Sequence, residues 1–212
     1  MKTAMRLISL AILSMTAATW AQAQSTEGIK ETERFIKTGA ATSQSVAEAR
    51  LKTQKALDAY NSITQGDSKD MKGDYKKLLN AQKDMDNQVA DARKKIDEMD
   101  KQAAVYFTSR STAAGQIQDA ALRDKAKTRL DENQRGYDRV KVALRGGGDA
   151  LAPFTKDLSD QIKFLGQELN PSSAASLKPQ SEKLNGRGST LFAQADTAVT
   201  TANGYFNGLK AE

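Results

Sequence analysis

The chain has 212 residues, a formal net charge of +6, and neither histidine nor cysteine. Those two absences together remove the commonest general base, the commonest metal ligands and the thiol nucleophile, and with them disulfides, haem and iron–sulfur centres. Only 3 Pro and 1 Trp argue against a loop-rich or sandwich fold, and a mean hydropathy of -0.61 excludes a polytopic membrane protein.

The N-terminus reads as an export signal. Lys2 and Arg6 precede the apolar run Leu7 to Met15, and Ala21-Gln22-Ala23 follows with small residues at signal-peptidase spacing. The run is too short to cross a hydrocarbon core of ~30 Å comfortably, and no cysteine follows it for lipid attachment. The reading is a signal peptide over residues 1–23 and one domain over 24–212, periplasmic, with cleavage near Ala23 lowering the formal charge to about +4.

Helical periodicity accounts for nearly everything after that. From Glu27 to Gln65, Val46, Ala49, Thr53, Ala56, Tyr60 and Ile63 recur at three- and four-residue spacing along one face. Gly66 suits the position past a helix end, and Asp67 or Ser68 can cap the next helix. The second helix holds the strictest seam, Tyr75, Leu78, Gln82, Met85, Val89, Ala92, Ile96, Met99, Ala103 and Tyr106. Its end falls late between Ser109 and Asp119, because Ala113 and Ile117 prolong the seam.

The third helix, Ala120 to Leu169, carries Leu122, Ala126, Leu130, Tyr137, Val140, Leu144, Leu151, Phe154, Leu158, Ile162, Leu165 and Leu169 facing the core. Three glycines, Gly146 to Gly148, cost roughly 3 kcal/mol of helix propensity and Pro153 about as much again, so a kink or short break is expected there. Asn170-Pro171 stops this helix. A fourth begins between Ser172 and Ser176, tolerates Pro179 near its first turn, and runs to the C-terminus on Leu177, Ser181, Leu184, Gly188, Leu191, Ala195, Ala198, Ala202, Tyr205 and Leu209.

Short connections make the first and second helices antiparallel, and likewise the third and fourth. The expected fold is an all-α, elongated, up-down-up-down bundle of four long helices with coiled-coil-like seams. A hairpin between helices two and three, roughly Phe107 to Arg129, protrudes from one end. A loose three-helix arrangement with one helix peeling away is the alternative.

Three stretches stand out: Val46-Ala47-Glu48-Ala49-Arg50, then Arg135-Gly136-Tyr137-Asp138, and Asp160 to Leu165 with Leu169-Asn170 and Ala175-Ser176-Leu177. They resemble a bacterial family of secreted helical proteins catalogued as domain of unknown function twenty-nine fifty-nine. The resemblance implies an exported all-helical protein and supplies no catalytic residues. The chain departs from it at Gly146 to Gly148, where relatives continue a charged helix. It departs again at Thr38 to Gln44, which lacks their basic stretch.

Chemistry is sparse. Asp97-Glu98-Asp100 and Asp131-Glu132 lie on periodic helices and read as solvated faces rather than paired catalytic acids. The glycine triplet lacks the strand and the Gly-Lys-Ser/Thr of a phosphate loop. No enzyme activity, cofactor or metal is expected. Charge is more telling: Arg123, Lys125, Lys127, Arg129, Arg135, Arg139, Lys141 and Arg145 are offset only by Asp124, Asp131, Glu132 and Asp138. In the bundle, Arg110, Arg123, Lys125, Lys127 and Arg129 gather at the hairpin, candidates for contact with an anionic surface.

Two roles follow. The first is a non-enzymatic periplasmic interaction or scaffold protein that binds a protein partner or itself along its seams. The second is reversible attachment to anionic lipid or glycolipid through the basic tip. A holdase chaperone is a third, weaker reading. Nucleic acid fits poorly with an export signal and few aromatic residues.

Overall fold

The computed structural model describes residues 8–66 and 68–211, with side chains from residue 28 onward. It contains α1 (Ile8–Thr64), α2 (Met71–Gly115), α3 (Ala120–Gln167), the short α4 (Pro171–Ser176) and α5 (Lys178–Ala211), with no strand among the described residues. The backbone from Ile8 continues the first helix. The side chains of the expected leader and of its Ala21-Gln22-Ala23 site lie outside the described residues.

Each turn is closed by local chemistry. Gly66 takes φ 91°, a conformation that only glycine adopts cheaply, and ends α1. The cap of α2 is Asp70 rather than Ser68: its carboxylate accepts from the Gly73 amide at 3.0 Å, while Ser68 donates to Asp74. Asp67, the other expected cap, lies outside the described residues. At the opposite end α2 stops at Gly115, as late as the seam suggested, and Asp119 caps α3 by accepting from the Leu122 amide at 2.8 Å. Asn170 caps α4 with Pro171 in the first helical position, so the helical path resumes one residue before the expected window. After Leu177 it turns into α5, where Pro179 sits in the first turn and lacks no hydrogen bond there.

The four long helices form a closed ring in which α1 packs on α2 and α5, and α3 packs on α2 and α5. The bundle is therefore four-helix and antiparallel, and no helix peels away. At about 1.5 Å per residue the 45 residues of α2 span about 68 Å, so the bundle is a rod. The α1 seam is buried throughout, as is that of α2 apart from half-buried Tyr75 and Gln82. Small polar residues Thr42, Ser43 and Ser45 are also buried, and this brings α1 close to α2. Thr42 Oγ1 donates to the Lys95 carbonyl at 3.1 Å, and Ser45 donates to Asp91 at 2.7 Å. The Thr38–Gln44 stretch is thus a packing surface.

Near the α2–α3 end the core becomes aromatic. Phe35 stacks on Tyr106 at 4.8 Å and meets Phe107, Tyr137, Tyr205 and Phe206 edge-on. Two glycines make room for it. A Cβ on Gly39 would stand 2.1 Å from the Phe206 ring, and one on Gly136 would stand 2.8 Å from Tyr205.

Of the kink or short break expected at Gly146 to Gly148, the break does not occur; α3 is one helix through the glycines and Pro153. Its phase is held on both sides by Val140, Leu144, Leu151 and Phe154, all buried. Arg93 of α2 also reaches the Gly148 carbonyl at 3.3 Å. Tertiary packing here outweighs local propensity. The hairpin overhang is real with respect to α5, which ends at Ala211, less than two turns beyond the Tyr205 that packs on Gly136 of α3. It differs from expectation on the α1 side, where α1 runs on past Arg110 toward Ile8.

Candidate functional site

The uncovered end of α3 creates a half-open cleft of about 750 Å³. Leu122, Ala126 and Leu130 continue the α3 seam past the end of α5, so they have too few neighbours; Leu122 is 60% exposed. Ala113, Ala114 and Ile117 face them from α2, Thr32 comes from α1, and Tyr106 of the aromatic layer forms the floor. A closed turn holds the two walls. The Gln116 and Ile117 amides donate to Ala113 and Ala114, and the Arg123 guanidinium donates to the Ile117 carbonyl at 3.1 Å.

Three of the five expected basic residues line this cleft: Arg110, Lys125 and Arg129. Arg110 is anchored, donating to Thr32 Oγ1 at 2.7 Å with its guanidinium 5.6 Å from the Tyr106 ring centre. Arg123 is half-buried and tied into the turn, and Lys127 is exposed and does not line the cleft. Among the described residues none of the five forms an ion pair, and no described lining residue is acidic. Asp119 is occupied as the cap of α3.

Lower on the same helix, Lys141 and Arg145 of the basic run are paired with acids. Arg145 pairs with Asp97 and Asp100, and Lys141 lies 3.7 Å from Asp100. The Tyr137 hydroxyl donates to Asp100 as well. Burial alone would raise the Asp100 carboxyl, but the Tyr137 and Arg145 hydrogen bonds and the Arg145 and Lys141 charges outweigh it and hold it below its ordinary value. Burial pushes the Tyr137 hydroxyl up, and its bond to Asp100 adds to this. Asp97 is exposed, as expected, although it pairs with Arg145; Asp100 departs from the expected solvated face, being only 16% exposed and held in a cross-helix ion-pair network. Among the described residues no group of three or more acidic residues is placed to hold a metal ion.

The family model described as a protein of unknown function (DUF2959) matches residues 20–209. The chain belongs to this family. No curated protein and no solved structure matches it. As a member of DUF2959 the chain inherits no assigned site, so the tip must be judged on its geometry.

What sequence reasoning missed was the apolar half of the site. Leu122, Ala126, Leu130, Ala113 and Ile117 carry the seam signature and read as core. The discriminating signal was the arithmetic of helix ends: a seam on α3 that starts about 12 residues before α5 can cover it.

Proposed function

We propose that this DUF2959 protein is an exported, non-enzymatic helical bundle of the periplasm that attaches reversibly to anionic lipid or glycolipid surfaces through its α2–α3 tip. The observation that carries the reading is the cleft in which Arg110, Lys125 and Arg129 surround apolar side chains with no acid among the described lining residues. Each basic residue near an anionic surface contributes about 1 kcal/mol, falling with salt, so a few of them give reversible rather than permanent attachment. Among the described residues no helix is long and apolar enough to cross a membrane.

A scaffold role along the seams has less support, because the chain's own helices occupy them. A specific observation keeps a protein partner in play: a groove of about 680 Å³ between α3 and α5, bordered by Val142, Gly146, Gly147 and Ala193, where Val142 is 73% exposed. Co-sedimentation of the chain lacking residues 1–23 with phosphatidylglycerol-containing and with neutral vesicles, at low and moderate salt, separates the two. Binding to the anionic vesicles alone, lost as salt rises, supports the tip. Absence of binding at low salt overturns it in favour of the scaffold.

A further inference from the structure

The tip is not merely a charged knob. Its cations sit at the rim of a cavity whose walls are apolar, and that combination is more than electrostatic adsorption to a flat surface requires. A cluster of lysines and arginines on a solvated helix end would hold a bilayer equally well. Here Leu122, Ala126 and Leu130 are instead turned inward toward Ala113 and Ile117, with the hydroxyl-bearing Tyr106 below them.

From these observations we infer that the tip cleft binds one single-chain anionic amphiphile, its hydrocarbon chain between α2 and α3 and its acidic head between Arg110, Lys125 and Arg129. This deepens the proposed function and rests on it, since the same basic residues would meet the surface from which such a molecule is taken.

Size, polarity and rigidity agree with that ligand class. The volume of about 750 Å³ lies within the roughly 300–1,000 Å³ of small-molecule sites. The α3 wall from Leu122 to Asn133 is about 16 Å long, suited to an extended chain rather than a compact solute. Two acyl chains side by side would need to part α2 from α3, which the capped turn and the Arg123–Ile117 bond oppose. One cation is pre-positioned: Arg110 is held by Thr32 and Tyr106, so little side-chain freedom is lost when a carboxylate or phosphate arrives. Lys125 and Arg129 stand one helical turn apart on α3 and present two further donors to the same head. Tyr106, stacked on Phe35 at 4.8 Å, lines the bottom and gives the chain an end stop.

Titration of the leaderless chain with oleate below its micellar concentration, followed by calorimetry, tests the inference, with oleyl alcohol as the uncharged analogue. One oleate per chain is expected, with the alcohol roughly tenfold weaker or worse once the charge-assisted hydrogen bonds are gone. Ala126→Trp fills the cleft while leaving every cation in place. It is expected to weaken oleate binding by roughly tenfold or more, yet to preserve salt-sensitive sedimentation with anionic vesicles. Ala113→Trp, on the opposite wall, repeats the test should the first variant fold poorly. Oleate binding unchanged in a folded filled variant overturns the inference, as does equal binding of the alcohol. Vesicle binding without any oleate binding overturns it too and leaves the proposed function standing; loss of both in the parent chain removes both.

Discussion

The two ends of the bundle are built from the same seams and come out differently. At the base, where α1 turns into α2 and α3 into α4 and α5, helices are bolted together by polar side chains. Tyr60 donates to Gln161 at 2.6 Å, Asn61 to Asn185 at 2.7 Å, Ser181 to Asn61 at 2.6 Å and Gln82 to Ser159 at 2.9 Å. At the tip the seam runs on while one of the four helices stops, and apolar residues are left facing a cleft edged with cations. Periodicity records which face of a helix is apolar; it does not record whether a partner is there to cover it. Where every neighbour is present the seam is core, and where one is missing the same seam becomes a binding surface.

Carboxylates placed on the seams of α2 and α3 are the severest way to break that contrast. Ile96→Asp puts an unpaired acid at a fully packed position and is expected to cost several kcal/mol, or to unfold the chain, in thermal or urea melts. Leu130→Asp, half-buried beside the cleft, should cost less. Leu122→Asp, already largely exposed, should stay within about 0.5 kcal/mol of the parent. Equal losses at Ile96 and Leu122 would mean that the tip is packed like the shaft.

The polar network between shaft and tip comes next. Asp100 has its pKa lowered in the folded state, so its stabilisation is fully present above the unfolded value of about 3.9 and is lost as pH falls through the lower folded value. Tyr60 and Tyr137 are raised, both mainly by burial, so their contribution is complete below about 10 and lost as pH climbs above it. Melting temperature should therefore fall at both extremes. Asp100→Asn keeps the shape but weakens the Arg145 and Tyr137 bonds; it is expected to cost about 1–3 kcal/mol near neutrality and to flatten the acid limb. An acid limb identical to the parent's would show that other carboxylates set it.

Glycine substitutions give smaller effects of opposite sign. Gly39→Ala drives a methyl into the Phe206 ring, which Phe35 and Tyr205 confine, and is expected to destabilise by about 1–3 kcal/mol despite the better helix former. A Cβ on Gly147 meets nothing within 4 Å, so Gly147→Ala should stabilise by about 1 kcal/mol. Chemical denaturation of the two variants side by side reads both signs.

Much of this was legible beforehand, for physical reasons that also mark the limits. The long seams predicted the buried faces of α2 and α5 almost residue for residue, because burying an apolar stripe is what stabilises a helix in water. On α1 every seam residue is buried, but Phe35, Thr42, Ser43, Ser45 and Leu57 are buried as well and lie off that seam. The basic residues of the tip were legible because charge needs no fold to be counted. Phe107, Phe192 and Phe206 were not assigned to the core, since each lies one position beside the seam; the aromatic layer draws in Phe107 and Phe206, and Phe154 packs edge-on against Phe192. The continuity of α3 through three glycines and a proline was illegible for the converse reason. Local cost is written in the sequence, whereas the packing that overrides it belongs to α2 and α5.

The tip charges should have the least effect on stability and the greatest on binding. Lys125 and Arg129 are exposed and, among the described residues, hold no ion pair, so Lys125→Glu with Arg129→Glu removes no contact from the core. Nearby positive charge from Arg110, Arg123 and Lys127 would even welcome the new acids. The melting temperature is thus expected to shift by the equivalent of no more than about 0.5 kcal/mol. Vesicle attachment should respond far more strongly. Two basic residues at about 1 kcal/mol each are lost and two repulsive charges replace them, so binding to anionic vesicles at low salt should drop below detection. The mirror-image change at the base, Lys72→Glu with Lys76→Glu, alters the net charge by the same amount and should leave most of the binding intact. Equal losses from both pairs would assign the attraction to overall charge, and the distinction between the two ends would then be one of packing alone.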